Sequence, residues 1–142
     1  MKKILSVNNT SNATNVGILI ARIGIAVLML THGLPKLAML FSGDAVKFPS
    51  VLGISPEFSL GLTVFAEVVC SVFLLAGFAT RLATIPLIIT MLVAVLIIHA
   101  ADPFAVKEPA LYYLLIYAML FFAGSGKYSL DYLYLNRHQN TK

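Results

Sequence analysis

Charged side chains are scarce in this sequence. Aspartate, glutamate, lysine and arginine together make up 11% of its 142 residues, whereas a soluble domain has about 25%. Hydrophobic residues make up 59%, so a soluble chain of this composition would have too little polar surface to cover itself. The shortage of charge therefore argues against an ordinary soluble domain and indicates an integral membrane protein.

Cysteine is almost absent as well. Cys70 is the single one, which excludes an internal disulfide and any metal site built on cysteine pairs. The sequence also lacks a glycine-rich phosphate loop and an HExxH zinc motif, and we expect no metal site. The net charge of +4 comes from scattered basic residues beside apolar segments. Such residues are topology signals, so we expect no nucleic-acid partner.

Four long apolar segments predict an all-α fold, a bundle of four transmembrane helices. The segments cover residues 16–41, 58–78, 82–101 and 109–123. A helix needs about 20 residues to cross the hydrocarbon core, and no segment alternates as a barrel strand does. We therefore expect one membrane domain over residues 1–142, with a flexible polar tail over 1–15 and an interfacial tail over 124–142.

The basic residues also predict an orientation, because lysine and arginine are enriched on the cytoplasmic side of membrane proteins. One side of the predicted bundle carries Lys2, Lys3, Arg81, Lys127, Arg137 and Lys142. The other side carries Lys36, Lys47 and Lys107. This bias predicts a multi-pass protein of the cell inner membrane with both termini in the cytoplasm and lipid around the bundle.

A few ionisable side chains fall inside the predicted spans, where they are costly and normally face protein or water. Helical spacing puts each on one stripe of its helix, and a rise of about 1.5 Å per residue brings His32 and His99 to a similar depth. The predicted outward-facing polar pocket consists of His32, Lys36, Glu67, His99, Glu108 and Tyr112. Glu67 lies near mid-membrane and needs a partner, and Arg22 is the candidate for a structural ion pair with it.

Gly33 and Pro35 interrupt the outer part of the first span. A proline at position 35 cannot donate a hydrogen bond to the Thr31 carbonyl and clashes with it, and glycine loosens the same turn. We expect a kink that turns His32 and Lys36 toward the pocket. The alternative is that the helix simply ends there and that Lys36 reaches the headgroups.

Several segments together resemble the DoxX family of small four-helix membrane proteins. They are "ARIGIAVLMLTHGLPK", then "FAEVVCSVFLLAGFATRLA" around Glu67, then His99, Glu108 and the tail "GSGKYSLD". The usual family tail is close to "GPGRYSLD", so the substitutions are mild. The family's recurring polar positions correspond to Arg22, His32, Gly33, Lys36, Glu67, His99 and Glu108.

The resemblance implies a membrane component tied to redox chemistry, since relatives include membrane subunits of thiosulfate:quinone oxidoreductase. The first hypothesis is a quinone-interacting subunit or accessory of a membrane oxidoreductase, in which the pocket supplies hydrogen-bond donors to a quinone. No soluble region is large enough for a flavin or nicotinamide, so electrons come from a soluble or membrane redox partner or from a quinone. A homo-oligomer is also compatible with the sequence.

Two other hypotheses stay open at the level of sequence. One is a non-enzymatic membrane module that assists assembly or transports a small solute. The other is a haem b protein with His32 and His99 as axial ligands, because the two histidines lie on different helices at similar depth. Two histidines in a bundle are a weak signal for haem.

Overall fold

The computed structural model describes residues 12–43 and 45–139. It contains five helices: α1 (Asn12–Phe41), α2 (Pro56–Ala76), α3 (Thr80–Ile98), α4 (Phe104–Ala123) and α5 (Leu130–Gln139). Helices α1 to α4 are each long and apolar enough to cross a membrane. The described residues form no strand, so the predicted all-α bundle of four membrane helices is confirmed.

Helices α1 and α4 begin earlier in the chain than expected. Helix α1 starts at Asn12, inside the tail expected over 1–15, whose first eleven residues lie outside the described part. Helix α4 starts at Phe104 and includes Pro109. The sequence placed the start at Pro109, where the continuous apolar segment begins. Membrane helices tolerate proline further inside, and α4 thereby gains the length to span.

The loops that separate the helices carry specific turn chemistry. Pro56 is the first residue of α2, and the Ser55 hydroxyl before it accepts a hydrogen bond from the Phe58 amide at 3.3 Å. Gly77 ends α2 with φ of +66°, a left-handed conformation that glycine adopts at little cost. Only Gly77, Phe78 and Ala79 separate α2 from α3, and such a short link makes the two helices antiparallel neighbours.

The four spans form a ring in chain order. Helix α1 packs against α2, α2 against α3, α3 against α4, and α4 returns to α1 with the least extensive of these contacts. Buried apolar side chains from all four helices fill the centre, among them Ile25, Met29, Leu74, Leu87 and Leu120. Lipid-facing leucine, isoleucine, valine and phenylalanine cover the outside.

The bundle has two different ends. The end called here the open end carries the loop between α1 and α2 and the loop between α3 and α4. The end called here the tail end carries the start of α1, the short α2–α3 link and the segment from Gly124 onward. The segment expected as an interfacial tail is only partly superficial, because Ser125, Ser129 and Asp131 are buried against the bundle.

Candidate functional site

An ion pair joins the first two spans inside the bundle. The Lys36 ammonium donates to both carboxylate oxygens of Glu67, at 2.6 and 2.8 Å. The Glu67 residue is 3% exposed, whereas 30% of the Lys36 side chain is exposed. Lys36 therefore bridges between a buried anion and the open end. A buried carboxylate is tolerated at such a position only with a partner of this kind.

The backbone around Glu67 has unusual geometry. Residues Phe65–Cys70 form a π-helical turn within α2. Such local widenings of a helix are rare in proteins, and many of those known lie at functional sites. Helix α1 approaches this turn at Gly33, where an added Cβ would lie 3.0 Å from the Cβ of Glu67 and 2.8 Å from Cγ2 of Val68. Glycine at position 33 thus lets the two helices come close enough for Lys36 to reach Glu67.

Helix α1 continues through Pro35 to Phe41. The alternative in which the first span ends near Pro35 therefore does not describe this chain. The Thr31 hydroxyl donates to the carbonyl of Leu28 at 2.7 Å, one turn before the proline. The kink at Gly33 and Pro35 stays a prediction. What the structure shows for this segment is the close approach of Gly33 to α2.

Three aromatic rings form the side of the site on α1 and α4. The His32 ring packs edge-on against the Tyr113 ring, with ring centres 5.9 Å apart. Tyr113 in turn contacts Tyr117 at 6.0 Å, and both tyrosine hydroxyls interact electrostatically with the Glu67 carboxylate. Tyr117 is 0% exposed, and within the described residues its hydroxyl has no hydrogen-bond partner. A buried hydroxyl without a partner is costly and marks a place where a polar ligand or water would be favourable.

These side chains form one contiguous polar group between α1, α2 and α4. We call it the polar wedge, and it consists of His32, Lys36, Glu67, Tyr113 and Tyr117. Burial decreases along it toward the open end: Tyr117 is buried, Tyr113 is half-buried and His32 is exposed. The arrangement offers a cation, an anion and two phenolic hydroxyls beside apolar surface, which suits a small ligand with polar atoms on a ring.

The other predicted pocket residues lie outside the polar wedge. His99 follows the last turn of α3 and its Nδ1 lies 2.7 Å from a carboxylate oxygen of Asp102. On α4, the Tyr112 hydroxyl donates to the Glu108 carboxylate, and Tyr112 is exposed. The structure thus brings His32, Lys36 and Glu67 together and places His99, Glu108 and Tyr112 in separate contacts at the open end.

Arg22 does not pair with Glu67 in the structure. It is 2% exposed and lies at the tail end, where its guanidinium donates to the carbonyls of Ser125 and Tyr128 at 2.5 and 2.7 Å. The link after α2 passes directly over it, since a Cβ on Gly77 would lie 2.5 Å from Nη1 of Arg22. Arg22 therefore anchors the C-terminal segment to the first span.

Asp131 completes this second cluster. Its carboxylate accepts hydrogen bonds from the amides of Ala79 and Thr80, at 2.7 and 3.3 Å, and so caps the start of α3. The Asp131 amide donates to the Gly77 carbonyl at 3.0 Å, and the carboxylate interacts electrostatically with Arg22. We call this cluster the tail lock, and it consists of Arg22, Gly77, Ser125, Tyr128 and Asp131.

Metal and haem ligands are not assembled in the part of the chain that the structure describes. No group of three or more histidine, cysteine, aspartate or glutamate side chains could hold a metal ion there. The two histidines of the haem hypothesis have separate neighbours, Tyr113 for His32 and Asp102 for His99. The geometry gives that hypothesis no support.

Sequence reasoning did not single out six residues of the two clusters: Tyr113 and Tyr117 in the polar wedge, and Gly77, Ser125, Tyr128 and Asp131 in the tail lock. A spacing of four puts Tyr113 and Tyr117 on one helical face, but the spacing alone does not show that this face meets Glu67. Asp131 was noted only within the family-like tail "GSGKYSLD". Its acid, one residue past the start of a short helix, was the available signal for a link to the bundle.

Comparison with known proteins adds one positive result. A family model described as DoxX matches residues 17–100, which is more than half of the chain and includes Arg22, Lys36 and Glu67. Comparisons with curated proteins and with solved structures found no match. The fold and the family match agree with each other, and the chain therefore belongs to the DoxX family of membrane proteins.

Proposed function

We propose that this protein is a quinone-interacting subunit or accessory of a membrane oxidoreductase. The supporting observation is the polar wedge inside an otherwise apolar bundle. In it the buried Glu67 carboxylate pairs with Lys36 and interacts electrostatically with two tyrosine hydroxyls. A quinone head group is a flat ring with two carbonyl oxygens, and each oxygen needs a hydrogen-bond donor. Lys36 and the partnerless Tyr117 hydroxyl are donors of the required kind.

The proposed roles follow from the position of each group. Lys36 and Tyr117 donate to carbonyl oxygens, Tyr113 and His32 pack against the ring, and Glu67 holds or releases a proton. A bound quinone supplies two-electron, two-proton chemistry, for which a carboxylate next to the ring is a suitable proton carrier. The electrons come from a redox partner, as the composition of the chain led us to expect.

The least extensive helix contact in the ring supports access from the lipid. On α1, His32 is exposed although it lies inside the first membrane span. A polar ring at that depth is costly against hydrocarbon. The cost is reduced if a lipid-soluble molecule with polar atoms enters there, which is consistent with a quinone as ligand.

Bound quinone in the purified protein tests the proposal. The protein is purified from native membranes in mild detergent, extracted with organic solvent, and its quinone content is measured by chromatography. We expect quinone in the wild type and in Tyr132→Phe, a control at the tail end, and much less in Tyr117→Phe. Absence of quinone from the wild type would contradict the proposal.

The same preparation separates the assembly hypothesis from the redox one. Glu67→Gln removes the charge of the wedge while keeping its shape. Under our proposal this variant loses quinone-linked electron transfer and still co-purifies with its partners. Lost partner association with intact electron transfer would favour the non-enzymatic assembly module instead.

The orientation belongs to the same proposal. We place the tail end in the cytoplasm of a cell with the protein in its inner membrane, because Arg81, Lys127 and Arg137 lie at that end. A reporter enzyme fused after the last residue tests this. A cytoplasmic reporter should be active there, and a reporter that needs export should be inactive.

A further inference from the structure

We propose that the polar wedge exchanges water and protons with the open end of the bundle alone. An apolar layer closes it from the tail end. The inference concerns the same site as the proposed function, and its consequence for redox protons depends on that function. Its geometric content, a one-sided aqueous path to Glu67, stands by itself.

The closing layer lies directly below the wedge. Ile25 and Leu74 are 5% and 0% exposed, and Leu87 and Leu120 are each 0% exposed, with one residue contributed by each of the four spans. They belong to a single apolar cluster. Protein interiors packed in this way leave no voids large enough for a file of water. The layer therefore separates the wedge from the tail lock.

The tail lock makes a second barrier beyond that layer. Most of its polar groups are paired: the guanidinium of Arg22 donates to two carbonyls and the carboxylate of Asp131 accepts from two amides, while Arg22 Nε is buried without a partner among the described residues. Gly77 covers the guanidinium so closely that even a methyl group would not fit. Water that reaches Arg22 from the tail end therefore still meets the apolar layer before Glu67.

Between Glu67 and the open end, the exposure of the side chains increases. Glu67 bonds to Lys36, whose side chain is 30% exposed, and the open-end residues Glu108 and Tyr112 form a further polar pair on the adjacent helix. Lys36 binds Glu67 directly, and Tyr113 and Tyr117 on α4 interact with it electrostatically. A proton that reaches or leaves Glu67 along the exposed side of Lys36 therefore comes from or goes to the open end.

Two buried hydroxyls mark the inner limit of the path. In the described part of the chain, Tyr117 Oη and Ser71 Oγ are fully buried without a hydrogen-bond partner on the wedge side, and Thr80 Oγ1 is in the same state at the tail end. Ser71 lies one helical turn beyond Glu67 toward the tail end. Buried polar atoms of this kind are normally satisfied by internal water, so water that enters the wedge ends at these two groups.

The consequence is directional. If the wedge binds a quinol that gives up electrons to a partner, each of its two protons is released on the side of the open end. The reverse reaction takes both protons from that side. In either direction the electrons and protons balance, since the quinone couple carries two of each and the partner exchanges only electrons.

Cysteine accessibility tests the sidedness without any quinone. The background is Cys70→Ala, because Cys70 is the single cysteine of the chain. Single cysteines are placed in the wedge (Glu67→Cys, and Tyr113→Cys, which keeps the ion pair) and in the apolar layer (Leu74→Cys). A charged thiosulfonate reagent, which needs water and a thiolate, is added to sealed vesicles of either orientation.

Two surface positions calibrate the vesicles. Leu52→Cys reports the open end and Leu133→Cys reports the tail end, since both residues are exposed. We expect both wedge cysteines to react when the reagent reaches the open end and to lose that reaction when it reaches the tail end. We expect Leu74→Cys to stay unmodified from both sides.

Three results would overturn the inference: reaction of a wedge cysteine from the tail end, reaction of Leu74→Cys from either side, or no reaction of Tyr113→Cys from the open end. The quinone extraction described above is independent of these readings. A protein without quinone but with one-sided labelling would refute the proposed function only. A protein with quinone and two-sided labelling would refute the one-sided path only.

Discussion

Arg22 ties the C-terminal segment to the first span, so its replacement by methionine should loosen the tail end of the bundle. Methionine has a similar length and keeps the apolar contacts of the arginine stem. It removes both hydrogen bonds to the carbonyls of Ser125 and Tyr128. It also removes the cation next to the buried Asp131 carboxylate. The perturbation is therefore confined to the tail lock.

The expected loss of stability follows from these contacts. A hydrogen bond from a charged donor contributes about 1.5–3 kcal/mol in soluble proteins, whereas bonds between membrane helices average about 0.6 kcal/mol. Two such bonds then contribute about 1–6 kcal/mol. The loss is partly offset because the buried arginine no longer has to be desolvated. We expect Arg22→Met to lower the free energy of unfolding by about 3 kcal/mol, or the melting temperature by about 10 °C.

The buried Cys70 provides the assay. It is 2% exposed and is the chain's single cysteine, so a thiol-reactive fluorogenic dye reports unfolding in detergent during a thermal ramp. Lys47→Met is the matched control, because Lys47 is exposed in the loop at the open end. If Arg22→Met melts at the same temperature as Lys47→Met, the tail lock does not stabilise the fold and our reasoning is refuted.

Three further predictions use the same dye assay. Asp131→Ala removes the cap of α3 and should cost about 1 kcal/mol, while Asp131→Asn keeps an acceptor and should cost less; equal losses would contradict a cap. Gly33→Ala forces a Cβ against Glu67 and should cost about 1–3 kcal/mol, whereas Gly24→Ala, with open space around it, should be neutral or stabilising. Lys36→Met strands the Glu67 charge and should cost about 3–5 kcal/mol; the double variant with Glu67→Gln should regain most of this, and an additive loss would show that the pair is not coupled.

The spans could be predicted from the sequence because the length and hydropathy of an apolar segment decide whether it can cross a membrane. Every apolar segment became a helix long enough to cross a membrane. The start of α4 was placed too late, at 109 rather than at Phe104. Hydropathy locates the apolar part of a helix, and the helix extends beyond that part through residues 104–108, which include Lys107 and Glu108.

The partner of Arg22 could not be predicted in the same way. Helical periodicity correctly put Arg22 on an inward face, and Glu67 was the nearest acid in the predicted bundle. The groups that bind it are backbone carbonyls more than 100 residues later in the chain. Every residue has a backbone carbonyl, so the sequence does not show which carbonyls bind Arg22. Whether a polar tail packs against the bundle or lies on the membrane depends on close contacts such as the one at Gly77.

The partner of Glu67 was predicted in part. The sequence placed Lys36 and Glu67 in one pocket, although it assigned the ion pair to Arg22. The π-helical turn over Phe65–Cys70 shifts the register of α2 at this carboxylate, and no residue pattern signals such a turn. His99 shows the same limit, because a depth match along two helices does not fix which way each helix faces.

During synthesis, Arg22 is made long before the carbonyl groups that bind it. Its acceptors are 103 and 106 positions further along the chain, and a ribosome that adds about 5–20 residues per second needs roughly 5–20 s to produce them. During that interval the first span carries a charge without its final partners. The membrane domain thus becomes complete only once its last segment has been made, and a chain that stops after the fourth span would keep an unsatisfied arginine by which quality control can recognise it.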